Sequence, residues 1–232
     1  MSIVAISFDA AGTLLHFAHP VGEIYAETGA RYGLHIGSDQ AEVRLTTALA
    51  AASTPVPESE EGADAFEYRW WMDIAAEVYG CRDDDLRFQA CFSELFHYYA
   101  APEAWRIHDD LPWLLQRLLS DNYHLAICSN FDGRLLTVLD ALGLTGYFEA
   151  VVIPRLAGFV KPQPGMFVKV AEALKKPPQQ ILHVGDNAER DVSAAKRMGF
   201  LGRQWSLPPE ADVNEAYACL KNAVDEVSDA GV

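Results

Sequence analysis

FDAAGTLL, residues 8–15, decides how the rest of the chain is read. The run before it, residues 2–8, is short, rich in β-branched and apolar side chains and followed by an acid, which is the pattern of a buried strand. Asp9 comes next, at the point where a parallel strand leaves the sheet, and open α/β sheets place their ligands along that edge. Gly12 and Thr13 follow at a tight turn, where glycine lets the backbone approach a bound group closely. A carboxylate after a strand also serves as an ordinary turn former or helix cap, so Asp9 takes its meaning from stretches elsewhere. Three share its character: Ser129 and Asn130 in CSN at 128–130, Lys161 in FVKPQPGMF at 159–167, and Asp186 and Asp191 in GDNAERD at 185–191.

Outward from residue 15 the pattern changes twice. Residues 19–34 read as a helix, with Pro20 in its first turn and Gly33 near its end. Val21, Ile24, Tyr25 and Thr28 recur at helical spacing and are expected to face inward. Residues 39–52 repeat the helical pattern, PVPESEEG at 55–62 marks an exposed break, and residues 63–79 and 84–100 make two more helices. In the third, Phe66, Trp70, Asp73 and Ile74, with Trp71 beside them, fall at helical spacing. They are expected to pack in a core, with substrate stacking or a dimer contact as the alternative. Four successive helices cannot belong to a parallel sheet. From Asp109 strands (124–128, 149–153, 181–184, 201–205) alternate with helices (111–119, 135–142, 165–174, 189–198, 214–227). That alternation implies an α/β fold, a doubly wound Rossmann-like parallel sheet with helices on both faces.

Composition narrows the partners. The chain has 232 residues, 50% hydrophobic and 11% aromatic, enough for a packed core and one insertion. Its net charge is −15 and its pI near 4.7, a surface that repels nucleic acid and anionic membranes. Residues 16–100 hold fifteen acids and five arginines, −10 of that total. No apolar run reaches membrane-spanning length, and no signal peptide is evident. The four cysteines form no CxxC pair, so reduced thiols in a cytoplasmic protein are expected rather than a disulfide frame or zinc site.

In order and spacing, the four stretches resemble the motif set of the haloacid dehalogenase superfamily, over residues 1–17 and roughly 109–204. More narrowly, HPVGEIYA at 19–26, WW at 70–71 and SNFDGRL at 129–135 resemble the subfamily of haloacid-dehalogenase-like hydrolase domain-containing protein 3 and the rhythmically-expressed-gene-2 protein. The resemblance implies a core domain of residues 1–17 and 101–232 and a helical cap of residues 18–100, inserted after the first strand. It implies a hydrolase acting on a small phosphorylated metabolite. Asp9 would be the nucleophile, and Mg2+ would be held by Asp9, the Ala11 backbone carbonyl and Asp186, with Asp191 in support. Ser129, Asn130 and Thr13 would bind phosphate, and Lys161 would neutralise charge in the transition state.

One departure divides the reading. Phosphatases of the superfamily usually carry a second aspartate two residues after the first, and here that position is Ala11. A positioned general acid/base contributes typically ~10²–10⁴-fold in rate. Three readings stay open: a slow or differently assisted magnesium-dependent phosphatase, a 2-haloacid dehalogenase, and a catalytically weak binding or regulatory protein that keeps the metal site. Phosphonate hydrolases of the superfamily share the alanine but need a cap lysine, and this chain has no lysine before Lys161. Dehalogenases place tyrosine at the Ala11 position and lack the GDxxxxD pattern that Asp186 and Asp191 form. His16 and His19 stand where the chain leaves the core; both read first as hinge or capping residues, with His19 kept as a candidate acid/base group.

Overall fold

The computed structural model describes residues 2–53 and 56–229, so Pro55, the first residue of the expected 55–62 break, lies outside the described residues. In chain order the elements are β1 (Ala5–Phe8), β2 (His16–Phe17), α1 (Val21–Arg31), α2 (Ser38–Ala51), α3 (Ala63–Tyr79), α4 (Leu86–Tyr98) and β3 (Trp105–Arg106). Then come α5 (Leu111–Ser120), β4 (His124–Cys128), α6 (Arg134–Ala141), β5 (Ala150–Val152), α7 (Pro154–Ala157) and α8 (Pro164–Leu174). The chain closes with β6 (Ile181–Gly185), α9 (Ala194–Arg197), β7 (Leu201–Gln204) and α10 (Val213–Asp229).

Five strands form one parallel sheet in the order β5-β4-β1-β6-β7. β1 is its centre, with Ala5 level with His124 on one side and Ile181 on the other. Connections run outward from β1 in both directions, so its carboxyl end is a topological switch point, where open sheets form their ligand crevice. Period-2 alternation sorts the strand side chains between two cores. Ile6, Phe8, Leu125 and Ile127 pack with Leu111, Leu114, Leu115 and Leu118 of α5 and with Leu220 of α10. Ala5, Ala126 and Cys128 pack on the opposite face with Phe167 and Val170 of α8 and Ala195 of α9.

Helices α1–α4 stand apart from the sheet and bury their own cluster, including Tyr25, Leu45, Ile74, Phe88, Phe92 and Leu95. Val21 and Ile24 are half-buried, while Tyr25 and Thr28 are fully so. Of the expected core stripe of α3, Ile74 is buried and Trp70 and Trp71 pack half-buried on the helical cluster, but Phe66 is 44% exposed and Asp73 is exposed. With Ile74, the buried face carries Ala63, Glu67, Met72, Ala75 and Val78. Hydropathy cannot anticipate a buried glutamate, and Glu67 is buried because core groups meet it. It accepts from Gly133 N at 3.0 Å and pairs with Arg155 at 2.8 Å. Burial pushes its carboxyl up, against the pull of the Gly133 N–H and Arg155.

Two further departures concern short elements. Residues 189–198 do not form one helix; a π turn, Ala188–Ser193, precedes α9. The two-stranded ladder of β2 and β3 was not legible in the sequence. It pairs His16 with Arg106 and Phe17 with Trp105, and Ala18 N donates to Ala104 O at 2.9 Å just beyond. The chain therefore leaves and re-enters the sheet module side by side. Among the described residues no helix is long and apolar enough to cross a membrane.

Candidate active site

The carboxyl ends of β1, β4 and β6 and the loop before α8 converge on one point. Asp9 continues β1, its N–H donating to Val184 O at 2.9 Å, and its side chain is buried. Lys161 Nζ lies 2.8 Å from Asp9 Oδ1 and 2.6 Å from Asp191 Oδ1, itself 4% exposed. Burial alone would lower the Lys161 pKa, but Asp9 and Asp191 outweigh it and hold the ammonium well above its ordinary range. For Asp191 burial pulls upward, yet hydrogen bonding from His183 and the charge of Lys161 carry its carboxyl far below the usual range. Asp186 shows the reverse. Burial, then Asp9 and Asp191, push it up. Ligand oxygens of Asp9, Asp186 and Asp191 lie within 4.8 Å of one another.

Local backbone explains how these groups meet. Gly12 has φ +85°, and a Cβ there would lie 2.8 Å from Asp186 Oδ2, so the turn after β1 needs glycine both for its dihedral and for its space. Thr13 is fully buried and its Oγ1 accepts from Asp186 N at 3.1 Å. The expected phosphate contact by Thr13 is thus not what the structure shows: its hydroxyl braces the Asp186 loop and lines no part of the cavity above Asp9. The π turn widens the start of the α9 segment and turns Asp191 inward, where its Oδ2 accepts from Asn187 N at 3.0 Å. π turns recur at functional sites for this reason. Asn187, not Asp186, caps the turn, accepting from Glu189 N and Arg190 N.

Ser129 is 2% exposed and lines the cavity, its Oγ accepting from Phe131 N at 3.3 Å, which leaves its hydrogen available to donate. Asn130 also lines the cavity, but its side chain is committed. Oδ1 accepts from Lys161 N at 2.6 Å and Nδ2 donates to Lys161 O at 2.9 Å. It fixes the Lys161 backbone rather than presenting an amide to a ligand. Ala11 lines the cavity beside Asp9 and brings no carboxylate. His19 is exposed and is not brought to the site, and His16 is tied to Leu207 O at 3.0 Å. His19 stands exposed just before α1 and lines no part of the cavity, so it is not placed to act as an acid/base group here.

Sequence reading missed His183. It is fully buried on β6, accepts or donates at Ser7 Oγ across 2.8 Å, and faces Asp191 Oδ1 at 3.4 Å. Burial lowers its pKa, with the Asp191 bond pulling the other way and Lys161 adding to the fall. A histidine inside an apolar strand reads as core, and only the register of β1 against β6, Ser7 with His183, shows the chain from Ser7 through His183 and Asp191 to Lys161 and Asp9.

The cavity over this floor measures about 350 Å³ and is walled by both modules, Tyr25, Leu49, Trp71 and Phe96 among the helical side chains. None of the five arginines of residues 18–100 lines it; its arginines are Arg134 and Arg190, from the sheet module. Trp71 Nε1 donates to Asp132 Oδ2 at 2.6 Å, and Arg134 pairs with Asp132 at 2.6 Å while its guanidinium lies 4.1 Å from the Phe96 ring centre and 5.1 Å from that of Trp71. Asp132 is buried, which raises a carboxyl, but the Arg134 bonds and charge hold it below the usual range.

Comparison with known proteins agrees with this geometry. The chain is 28% identical to the haloacid dehalogenase-like hydrolase domain-containing protein 3 of Xenopus laevis, over 97% of this chain and 100% of that one. It is 27% identical to the rhythmically expressed gene 2 protein of Drosophila melanogaster, over 84% and 80% of the two chains. Its fold is similar to that of a phosphatase from Thermococcus onnurineus, with TM-score 0.59, 22% identity and coverage of 90% and 88%. It is similar also to that of L-2-haloacid dehalogenase from Xanthobacter autotrophicus, with TM-score 0.60, 23% identity and coverage of 85% and 75%. The family model for haloacid dehalogenase-like hydrolases matches residues 3–199, and the chain belongs to that family.

Proposed function

We propose that this hydrolase is a magnesium-dependent phosphatase of small phosphorylated metabolites, working through an aspartyl-phosphate on Asp9. The observation that carries the reading is the three-carboxylate cluster of Asp9, Asp186 and Asp191, into which, among the described residues, the single Lys161 ammonium is bridged. Nucleophilic attack on carbon needs no such surplus of negative charge. The donor set is oxygen throughout, the chemistry that a hard divalent cation takes, and Mg2+ usually uses one or two protein carboxylates. Asp9, the Ala11 carbonyl and Asp186 would hold the ion, with Asp191 in support, and it would offset the charge of a phosphate approaching Asp9.

The chain's own groups then have distinct tasks. Asp9 Oδ bonds to phosphorus as the P–O bond to the alcohol breaks, and water later cleaves the aspartyl-phosphate. Ser129 Oγ–H donates to a phosphoryl oxygen. Lys161, kept cationic by Asp9 and Asp191, stabilises charge that grows on the transferring group. Residues 18–100 act as the cap that closes over residues 1–17 and 101–232. Four unpaired cysteines fit a cytoplasmic setting, with the Cys128 thiol pushed up to about 12 by burial.

Ala11 favours a second reading, a catalytically weak binding protein, because nothing at that position protonates a leaving group. Hydrolysis of an activated aryl phosphate, with and without Mg2+ and beside Asp9→Asn, separates the two. Activity that requires both the metal and Asp9 supports the phosphatase; none with a broad panel leaves the binding protein. Chelator-insensitive chloride release from a 2-haloacid would overturn both.

A further inference from the structure

The cavity above Asp9 has chemically unlike ends. Its floor is charged, with Asp9, Lys161 and Asp191, and Arg190 stands beside them in the chain. Its walls are apolar and mainly aromatic: Tyr25, Leu49, Trp71, Phe92, Phe96 and Trp105. On the walls a second anionic group would find no open cation; the open one, Arg190, stands at the charged floor beside Asp191. Arg134 is the wall's arginine, and its guanidinium is already held by Asp132 at 2.9 and 2.6 Å and lies over Phe96 and Trp71. Glu42, which also lines the wall, would repel such a group. Among the described residues one polar atom of the wall is both fully buried and without a partner. Tyr99 lines the cavity, and its hydroxyl is buried without a hydrogen-bond partner among the described residues. Buried polar atoms are nearly always partnered, so the Tyr99 hydroxyl is free to bond a water or a ligand atom in the cavity.

We infer that the site takes phosphate monoesters of a bulky apolar or aromatic alcohol, with no acidic group far from the phosphate and one hydrogen-bonding atom for the Tyr99 hydroxyl. The inference rests on the phosphatase reading for the phosphate end and on the cavity walls for the rest. Apolar surface on the alcohol is removed from water against these rings, while a sugar in the same space would give up water from its hydroxyls against a mainly aromatic wall. Phosphates of sugars are therefore poor ligands for this chain.

Two primary alkyl esters with comparable leaving alcohols test the claim, so that leaving-group effects stay out of the comparison: 2-(2-naphthyl)ethyl phosphate and glucose 6-phosphate. With Mg2+, wild type should hydrolyse the naphthyl ester with kcat/KM at least ~10-fold higher, most of it in KM. Leu49→Asp, at a position 38% exposed and so tolerant of change, should abolish that preference. Tyr99→Phe should lower affinity for a ring-hydroxylated naphthyl ester several-fold more than for the parent. Equal or better hydrolysis of glucose 6-phosphate would overturn the inference. If neither ester is hydrolysed, the phosphatase reading has failed and the cavity is still tested, because 2-(2-naphthyl)ethanol carries no phosphate. Calorimetric binding of that alcohol to wild type, lost in Leu49→Asp, would uphold the apolar site; no binding would overturn it.

Discussion

Lys161 is the only cation touching the buried oxygens of Asp9 and Asp191 among the described residues, so its removal has two separable effects. Breaking a buried ion pair by deleting one partner typically costs about 3–5 kcal/mol, and a chain of this size loses roughly 2–4 °C in Tm per kcal/mol. Lys161→Met should therefore lower Tm by roughly 10 °C in scanning calorimetry and reduce kcat more than it raises KM. Asn130→Ala keeps the ammonium but releases its backbone, and should lower kcat with a much smaller loss of stability. Ala11 makes the opposite demand. Ala11→Asp supplies a carboxylate at the cavity floor, and hydrolysis of alkyl phosphates should rise by ~10-fold or more, a fraction of the usual general acid/base effect. The gain should vanish when Asp9→Asn is added. His19→Ala should leave steady-state kinetics unchanged, since its exposed side chain lines no part of the cavity.

At the level of elements, α3 is fastened to the sheet module through Trp71 and Glu67, and Asp132 is the hub of that contact. The folded state lowers the Asp132 pKa, so the stabilisation it contributes is present above the ordinary carboxylate range near 3.9 and lost as pH falls through the folded value. Asp132→Asn should cost about 3 kcal/mol at neutral pH and should flatten the acid limb of a Tm-versus-pH curve below about pH 4; an unchanged limb would remove Asp132 from this role. Strand and helix periodicity located most elements: α3 and β4 begin and end where their patterns do. The β2–β3 ladder escaped because two-residue strands carry no periodicity. The π turn escaped because it differs from an α-helix by one hydrogen-bond step, and what dictates it is tertiary. A Cβ on Gly185 would overlap the Asp191 side chain, so the turn and the glycine are matched to each other. The site is legible to the same extent. Asp9, Ser129, Lys161, Asp186 and Asp191 converge as their strand-end positions imply, whereas Thr13, Asn130 and His183 owe their places to side-chain hydrogen bonds between distant segments.

For the whole molecule, a ligand that binds only the folded chain stabilises it by about 2.7 kcal/mol at one hundred times its Kd. Mg2+ at that excess should raise Tm by roughly 5–10 °C, and Asp186→Ala should lose both the rise and the heat of binding in titration calorimetry. Equal shifts in the two proteins would remove Asp186 from the metal site. The larger consequence lies in the β2–β3 ladder, where the chain crosses out and back at adjacent residues, with Ala18 N bonded to Ala104 O. Everything between those residues is joined through the backbone at one narrow stalk and otherwise meets the sheet module through side chains, Trp71 with Asp132 and Glu67 with Arg155, while the sheet's ladders close without it. Such an attachment lets selection exchange or redraw the wall of the cavity as a unit and leave the reacting floor as inherited. Chemistry and choice of substrate in this lineage are then free to diverge at different rates.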